Sequence, residues 1–221
     1  MKRLFATFLL AVAVAPPAGA AGTGYCPPFL PGPPHVEFEA NIPVQPAFDH
    51  RLSRAEIESR TSHGMGQGWR AGGLTTVAYE TLVAVRVQTL GLPDGSRCVQ
   101  VTGANGRLDV RDLTVHVARE HRPGTCPFAA IREHEMEHAA IARQTFLHHL
   151  PALRARLEEE ARGLPPIRTA QPDEAVQAAV DRLLAALAPT LKIMETEMTL
   201  AHAGIDTPES YQALGRRCAI W

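Results

Sequence analysis

"AIREHEMEHAAIA", residues 130–142, is the stretch on which the reading of this 221-residue chain turns. It lies in a run from 128 to 149 that lacks proline and glycine and is rich in Ala, Glu, Arg, Ile and Leu, a composition that predicts an α-helix. Within it, His134-Glu135-Met136-Glu137-His138 has the form HExxH. Residues i and i+4 stand one above the other on a helix, so His134 and His138 are spaced to hold one metal ion through neutral imidazoles. Glu135, one position on, is set to reach a water activated by that ion. Zinc brings the pKa of such a water toward neutrality, and the glutamate takes its proton and passes it to a leaving amine. The rival reading is a solvated, charged helix face on which the motif is incidental.

Upstream of the motif the pattern is that of strands. Val77, Tyr79, Val83, Val85 and Val87 fall on odd positions with polar residues between most of them, the period-two signature of a half-buried strand. "GLPDGSR" predicts a turn, Cys98-Val99-Gln100-Val101 a second strand, "GANGR" another turn, and residues 108–117 a third strand. Residues 75–118 therefore predict an antiparallel meander. Further upstream, the proline-rich stretch 25–46 predicts an extended segment in which Val36 and Phe38 form a short strand. Ser53 and Glu56 make a capping pattern for a short helix. The glycine-rich run 63–73 has neither P-loop nor dinucleotide spacing and predicts a connection.

Downstream, Pro151 predicts an end or kink, with a further turn or two to Arg162, and "GLPPIRTAQP" predicts a break. A last long helix is expected from Pro172-Asp173-Glu174 to about His202, with Val176, Val180, Leu183, Leu184, Leu187 and Leu191 as its apolar stripe and Pro189 as a possible bend.

Residues 1–20 read as a signal peptide: Lys2 and Arg3, an apolar run from 4 to 14, then Ala18-Gly19-Ala20 before the expected cut. That run is too short to span a membrane comfortably, and no later segment is long and apolar enough, so no stable membrane insertion is expected. Thr23-Gly24-Tyr25 before Cys26 do not make a lipobox, which leaves a soluble exported protein, periplasmic or secreted. The mature chain would carry 20 Lys and Arg against 23 Asp and Glu, a balance that argues against nucleic acid as a partner. Four cysteines in an exported chain predict two disulfides. The expected pairs are Cys98 with Cys126 and Cys26 with Cys218, the second tying the termini together.

A strand meander, an HExxH helix and a later packed helix resemble the zincin metallopeptidases. More narrowly, the exported chain, its size and "IREHEMEHAAIA" resemble a family of uncharacterised bacterial secreted proteins predicted to be zinc-dependent peptidases, in which small or apolar residues follow the motif. The resemblance is strongest over residues 75–145. It implies zinc as the cofactor, His134 and His138 as ligands, Glu135 as the catalytic base, and a peptide or protein substrate.

The third ligand must come from elsewhere. Ile141 and Gln144 stand where a metzincin has its glycine and third histidine. His149 is eleven residues, about 16 Å, along the helix from His138, too far to share an ion; His148 and His149 are expected at the surface or facing a partner. If the last helix returns antiparallel to the motif helix, Glu195, Glu197 and His202 come level with the site. His202 is the expected third ligand, with Glu195 and then Glu197 as alternatives. His63, His116, Tyr79 and Tyr211 are further candidates for a cleft, the tyrosines as oxyanion donors or as ordinary buried aromatics.

The expectation is a single α+β zincin-like domain over 21–221: an extended segment at 21–74, the strand meander at 75–118 and a helical part at 127–221. Its expected activity is zinc-dependent hydrolysis of peptide bonds. The alternatives are an exported binding or scaffold protein with a structural or incidental metal, and a metal-dependent amidase acting on cell-wall material. Oligomeric state is left open by the sequence.

Overall fold

The computed structural model describes Cys26, residues 32–61 and residues 71–221; the expected signal peptide and most of the glycine-rich connection lie outside these. The chain is α+β, with a sheet built around one strand. The order is β1 (His35–Asn41), β2 (Ala47–Asp49), α1 (Arg54–Arg60), β3 (Gly73–Gly91), β4 (Arg97–Val117), α2 (Cys126–Arg162), β5 (Ile167–Thr169), α3 (Pro172–Ile205) and α4 (Pro208–Arg216). Strand β4 is central. β3 runs antiparallel along one flank of it, while β5 (antiparallel) and then β1 and β2 (both parallel) pair along the other.

The expected turn between β3 and β4 is present: Leu92 and Ser96 close it and Gly95 takes φ +84°, a conformation that favours glycine. The three-stranded antiparallel meander is not. "GANGR" does not turn, so the predicted second and third strands are one strand of 21 residues, to which β1 and β2 add in parallel. Its glycines serve close approach. A Cβ on Gly106 would stand 2.4 Å from Phe38 Cδ2 and 2.9 Å from Leu157 Cδ2, and one on Gly103 would stand 2.7 Å from Arg86 Nε.

Strand β4 also keeps one face apolar by changing phase. Ala104, Leu108 and Val110 are buried on even positions, Leu113, Val115 and Val117 on odd ones. The register slips by one between these sets, where Tyr79 pairs with Val110 and Ala78 with Asp112. Arg111 is the extra residue, and the bulge returns the second apolar set to the core face.

Helix α2 crosses that face. Thr125 caps it, and its buried positions, among them Ile131, Glu135, His138, Ala142, Phe146, Leu153 and Leu157, recur every three or four residues. Pro151 does not end it: the proline is on the exposed side, and the buried stripe continues through Leu153 and Leu157. Helix α3 returns antiparallel as expected, since His138 meets His202, His149 meets Glu197 and Glu160 meets Arg182.

The disulfides join Cys26 to Cys98 and Cys126 to Cys218, which overturns the expected pairing. The reason is the same missing turn. At about 3.3 Å per residue, an unbroken β4 separates Cys98 from the start of α2 by roughly 60 Å of strand. Two disulfides fit an oxidising, exported setting. Among the described residues no helix is long and apolar enough to cross a membrane.

Candidate metal centre

The core-facing stripe of α2 carries polar residues where apolar ones would pack. Glu135 is 6% exposed and His138 8%, and such groups stay buried only when partnered. Glu135 sits against the start of β3. The Thr75 hydroxyl lies 2.9 Å from its Oε2 and 2.8 Å from its main-chain oxygen, and can donate to one of them at a time. A Cβ on Gly73 would stand 2.6 Å from Glu135 Cγ and 2.6 Å from Oε1, so glycine is what lets the strand lie on the carboxylate. Burial pushes the Glu135 carboxyl above its ordinary range, and the neighbouring histidines only partly offset it.

The other half of the centre comes from the junction of α3 and α4. Asp206 ends α3, and Thr207 opens α4 with a capping box completed by Ser210. This turn points Asp206 at the motif helix. His134 Nε2 donates to Asp206 Oδ1 at 3.0 Å, His138 Nε2 to the same oxygen at 3.1 Å, and the Tyr211 hydroxyl to it at 2.7 Å. Burial pushes the Asp206 carboxyl up, but these three donors outweigh it and hold the group well below the carboxylate range. Tyr211, half-buried and bonded to Asp206, is held above the ordinary phenol value and stays a donor.

Two imidazoles and a carboxylate are a metal donor set, used for zinc and for other divalent ions. Ligand atoms 2.0–2.1 Å from a tetrahedral ion lie roughly 3.3 Å apart, and the two histidine nitrogens stand close to that spacing from Asp206 Oδ1, at 3.0 and 3.1 Å. One atom from each of His134, His138 and Asp206 lies within 4.8 Å of the others.

His202 is not in that group. Its Nδ1 shares a 2.9 Å hydrogen bond with His138 Nδ1, on the far side of the ring from Asp206. Were Nε2 to hold a metal, His138 would carry its proton on Nδ1 and donate it to His202, an arrangement that fixes tautomer and ring orientation. Glu195 accepts from Tyr79 at 2.8 Å, and Glu197 pairs with His149 at 2.7 Å. His149 is 6% exposed, so it does not take the expected place at the surface or facing a partner, whereas His148 is exposed. With His148 and Glu197 it forms a second group of donors of metal-ligating type. His116, beside Thr76 on the sheet, stands outside the metal cavity, and His63 lies outside the described residues.

The sequence expectation does not include Asp206 or its pairing with Tyr211, because it ends the helix at about His202. The available signal was Asp206 itself, one turn beyond His202 and just before the Thr-Pro-Glu-Ser cap. Around these residues lies a cavity of about 380 Å³ whose walls include His134, Glu135, His138, Asp206 and Tyr211, within the size range of ligand sites.

No family model, curated protein or solved structure matches this chain in comparison. Fold and donor geometry define it as an α+β chain whose His, Asp and Glu side chains include groups able to bind a metal ion.

Proposed function

We propose that the protein is an exported zinc-dependent hydrolase of peptide bonds. The observation that carries this reading is the convergence of His134, His138 and Asp206 Oδ1 beside a buried Glu135 on one cavity wall. A bound zinc ion would supply a Lewis acid and lower the pKa of water toward neutrality. The chain's own residues do the rest. Glu135, poised above the ordinary glutamate range, accepts a proton from the attacking water and returns it to the leaving amine. Thr75 holds the carboxylate in place, and His202 and Tyr211 orient His138 and Asp206.

A peptide is favoured over a small amide by the strand beside the site. Among the described residues β3 pairs only with β4, so one of its edges offers unpaired backbone groups, and Thr75 on the same strand touches Glu135. An extended substrate can add to that edge and arrive at the carboxylate in register.

The test is Glu135→Gln in the mature, zinc-loaded protein, assayed against a quenched-fluorescent peptide library. Zinc stoichiometry is expected to stay at one while hydrolysis falls at least about a hundredfold, the lower end of general acid–base contributions. Wild-type protein that binds no zinc after chelator-free purification would refute the reading.

A further inference from the structure

Arg54, at the start of α1, and His121, just after β4, form a polar pair in the wall of the same cavity. Arg54 Nη2 donates to His121 Nε2 at 2.9 Å, and the buried Nε of Arg54 has no hydrogen-bond partner among the described residues. Burial, and then the Arg54 charge, keep His121 below its ordinary pKa, so it faces the guanidinium as a neutral acceptor. Glu120 is close, but its carboxylate accepts from the Arg54 backbone N–H at 3.0 Å. Among the described residues no carboxylate oxygen comes within 4.0 Å of the guanidinium, and residues 1–25, 27–31 and 62–70 contain neither Asp nor Glu. The chain thus places a permanent cation on a cavity wall with no carboxylate in direct ion-pair contact among the described residues, although the nearby Glu120 feels its charge.

The position of this cation relative to Glu135 follows from β3. A Cβ on Gly73 would meet Glu135 at 2.6 Å and Ile131 at 2.7 Å; one on the adjacent Gly72 would meet Ile131 at 2.7 Å and His121 at 3.2 Å. Glu135 and His121 therefore flank Ile131, which precedes Glu135 by one helical turn, about 6 Å along the axis. An extended peptide covers 3.3–3.6 Å per residue, so one or two residues beyond a bond held at Glu135 carry a substrate along Ile131 toward the His121–Arg54 pair.

We propose that Arg54, supported by His121, is a subsite for a carboxylate on the substrate, one or two residues from the scissile bond. This rests on the zinc-hydrolase reading. The guanidinium fork matches a carboxylate in geometry and charge, and Leu74, Ile131 and Leu214 line the same cavity, apolar surroundings of the kind that strengthen such a pairing. The carboxylate is either the α-carboxylate of a chain end, as in trimming from the C-terminus, or an Asp or Glu side chain within a chain.

Three thiol probes for calorimetry on the zinc-loaded mature protein separate these cases: mercaptoacetyl-leucine, its neutral amide, and mercaptoacetyl-glutamate α-amide. The probe with the matching carboxylate is expected to bind about ten- to a hundredfold more tightly than the neutral amide, the range of a charge-assisted hydrogen bond. A gain for the leucine acid identifies the chain end; a gain for the glutamyl amide identifies the side chain. Arg54→Gln is expected to abolish the difference and Arg54→Lys to keep part of it, with zinc content unchanged in both. Equal affinity of all three probes for the wild type, which requires no variant to fold, overturns the subsite while leaving the metal centre standing. So does a preference that survives Arg54→Gln. Failure of every probe to bind, the neutral amide included, overturns the metal-centre reading and the subsite with it.

Discussion

Asp206 Oδ1 receives His134, His138 and Tyr211 together, and the residue-scale expectations follow from that convergence. Asp206→Ala is expected to remove a ligand and weaken zinc binding by more than a hundredfold. His202→Ala removes the partner of His138 Nδ1 and is expected to cost about 10- to 100-fold, the usual effect of losing a residue that orients a ligand. Competition with a chromophoric chelator measures both, and the reverse ranking would return His202 to the ligand set. The metal-free protein has a pH signature. His134 is pushed down by burial, but Asp206 and the nearby Glu135 outweigh that and raise it. Its contribution to stability is therefore present below about pH 6.5 and lost as pH rises through the folded value. Asp206 is depressed, so its contribution is present above about pH 3.9 and lost as pH falls. The stability difference between wild type and Asp206→Asn, from chemical denaturation without metal, is expected to be largest between about pH 4 and 6.5.

At the scale of elements, the site depends on how closely β3 lies on α2. Gly73→Ala would drive a methyl group into Glu135 and Ile131. The expected result is a loss of about 1–3 kcal/mol in unfolding free energy, as for other overpacked sites. Hydrolysis is expected to fall at least tenfold with zinc retained, because the carboxylate moves and the ligands do not. Unchanged kcat would mean that Glu135 is not held by this strand. The same elements divide what could be read locally from what could not. β3 was legible because one face packs on the core and the other does not, so Val77, Tyr79, Val83 and Val85 alternate. β4 is not legible at Gly103 and Gly106, whose local chemistry suits a turn; their role is to admit Arg86 and Phe38, residues distant in sequence.

In the whole molecule, the cavity is closed by residues that start far apart. The disulfide between Cys126 and Cys218 spans 92 residues and fastens the segment after α4 to the start of α2; Arg217 pairs with Glu133 alongside it. That clasp holds Tyr211 and Asp206 over the motif helix. Replacing both Cys126 and Cys218 by Ser is expected to cost about 2–4 kcal/mol of stability and to lower zinc affinity as well, since binding must then order the α3–α4 junction. Thermal melts with and without zinc read both effects. An unchanged zinc-induced shift would show that the clasp does not support the centre.

The sequence by itself determined what depends on neighbours a few residues away: the helix bearing His134, Glu135 and His138, the β3 alternation and its turn into β4, the capped α1, and an even set of cysteines. Only the tertiary structure decided the partners of those groups. Asp206 lies 68 residues from His138, and the disulfide pairs depend on whether β4 runs straight through "GANGR". Local periodicity reports which face of an element is buried. It carries no record of what lies opposite, because that is set by the path of the whole chain and by packing at contacts such as Phe38 on Gly106 and Gly73 on Glu135.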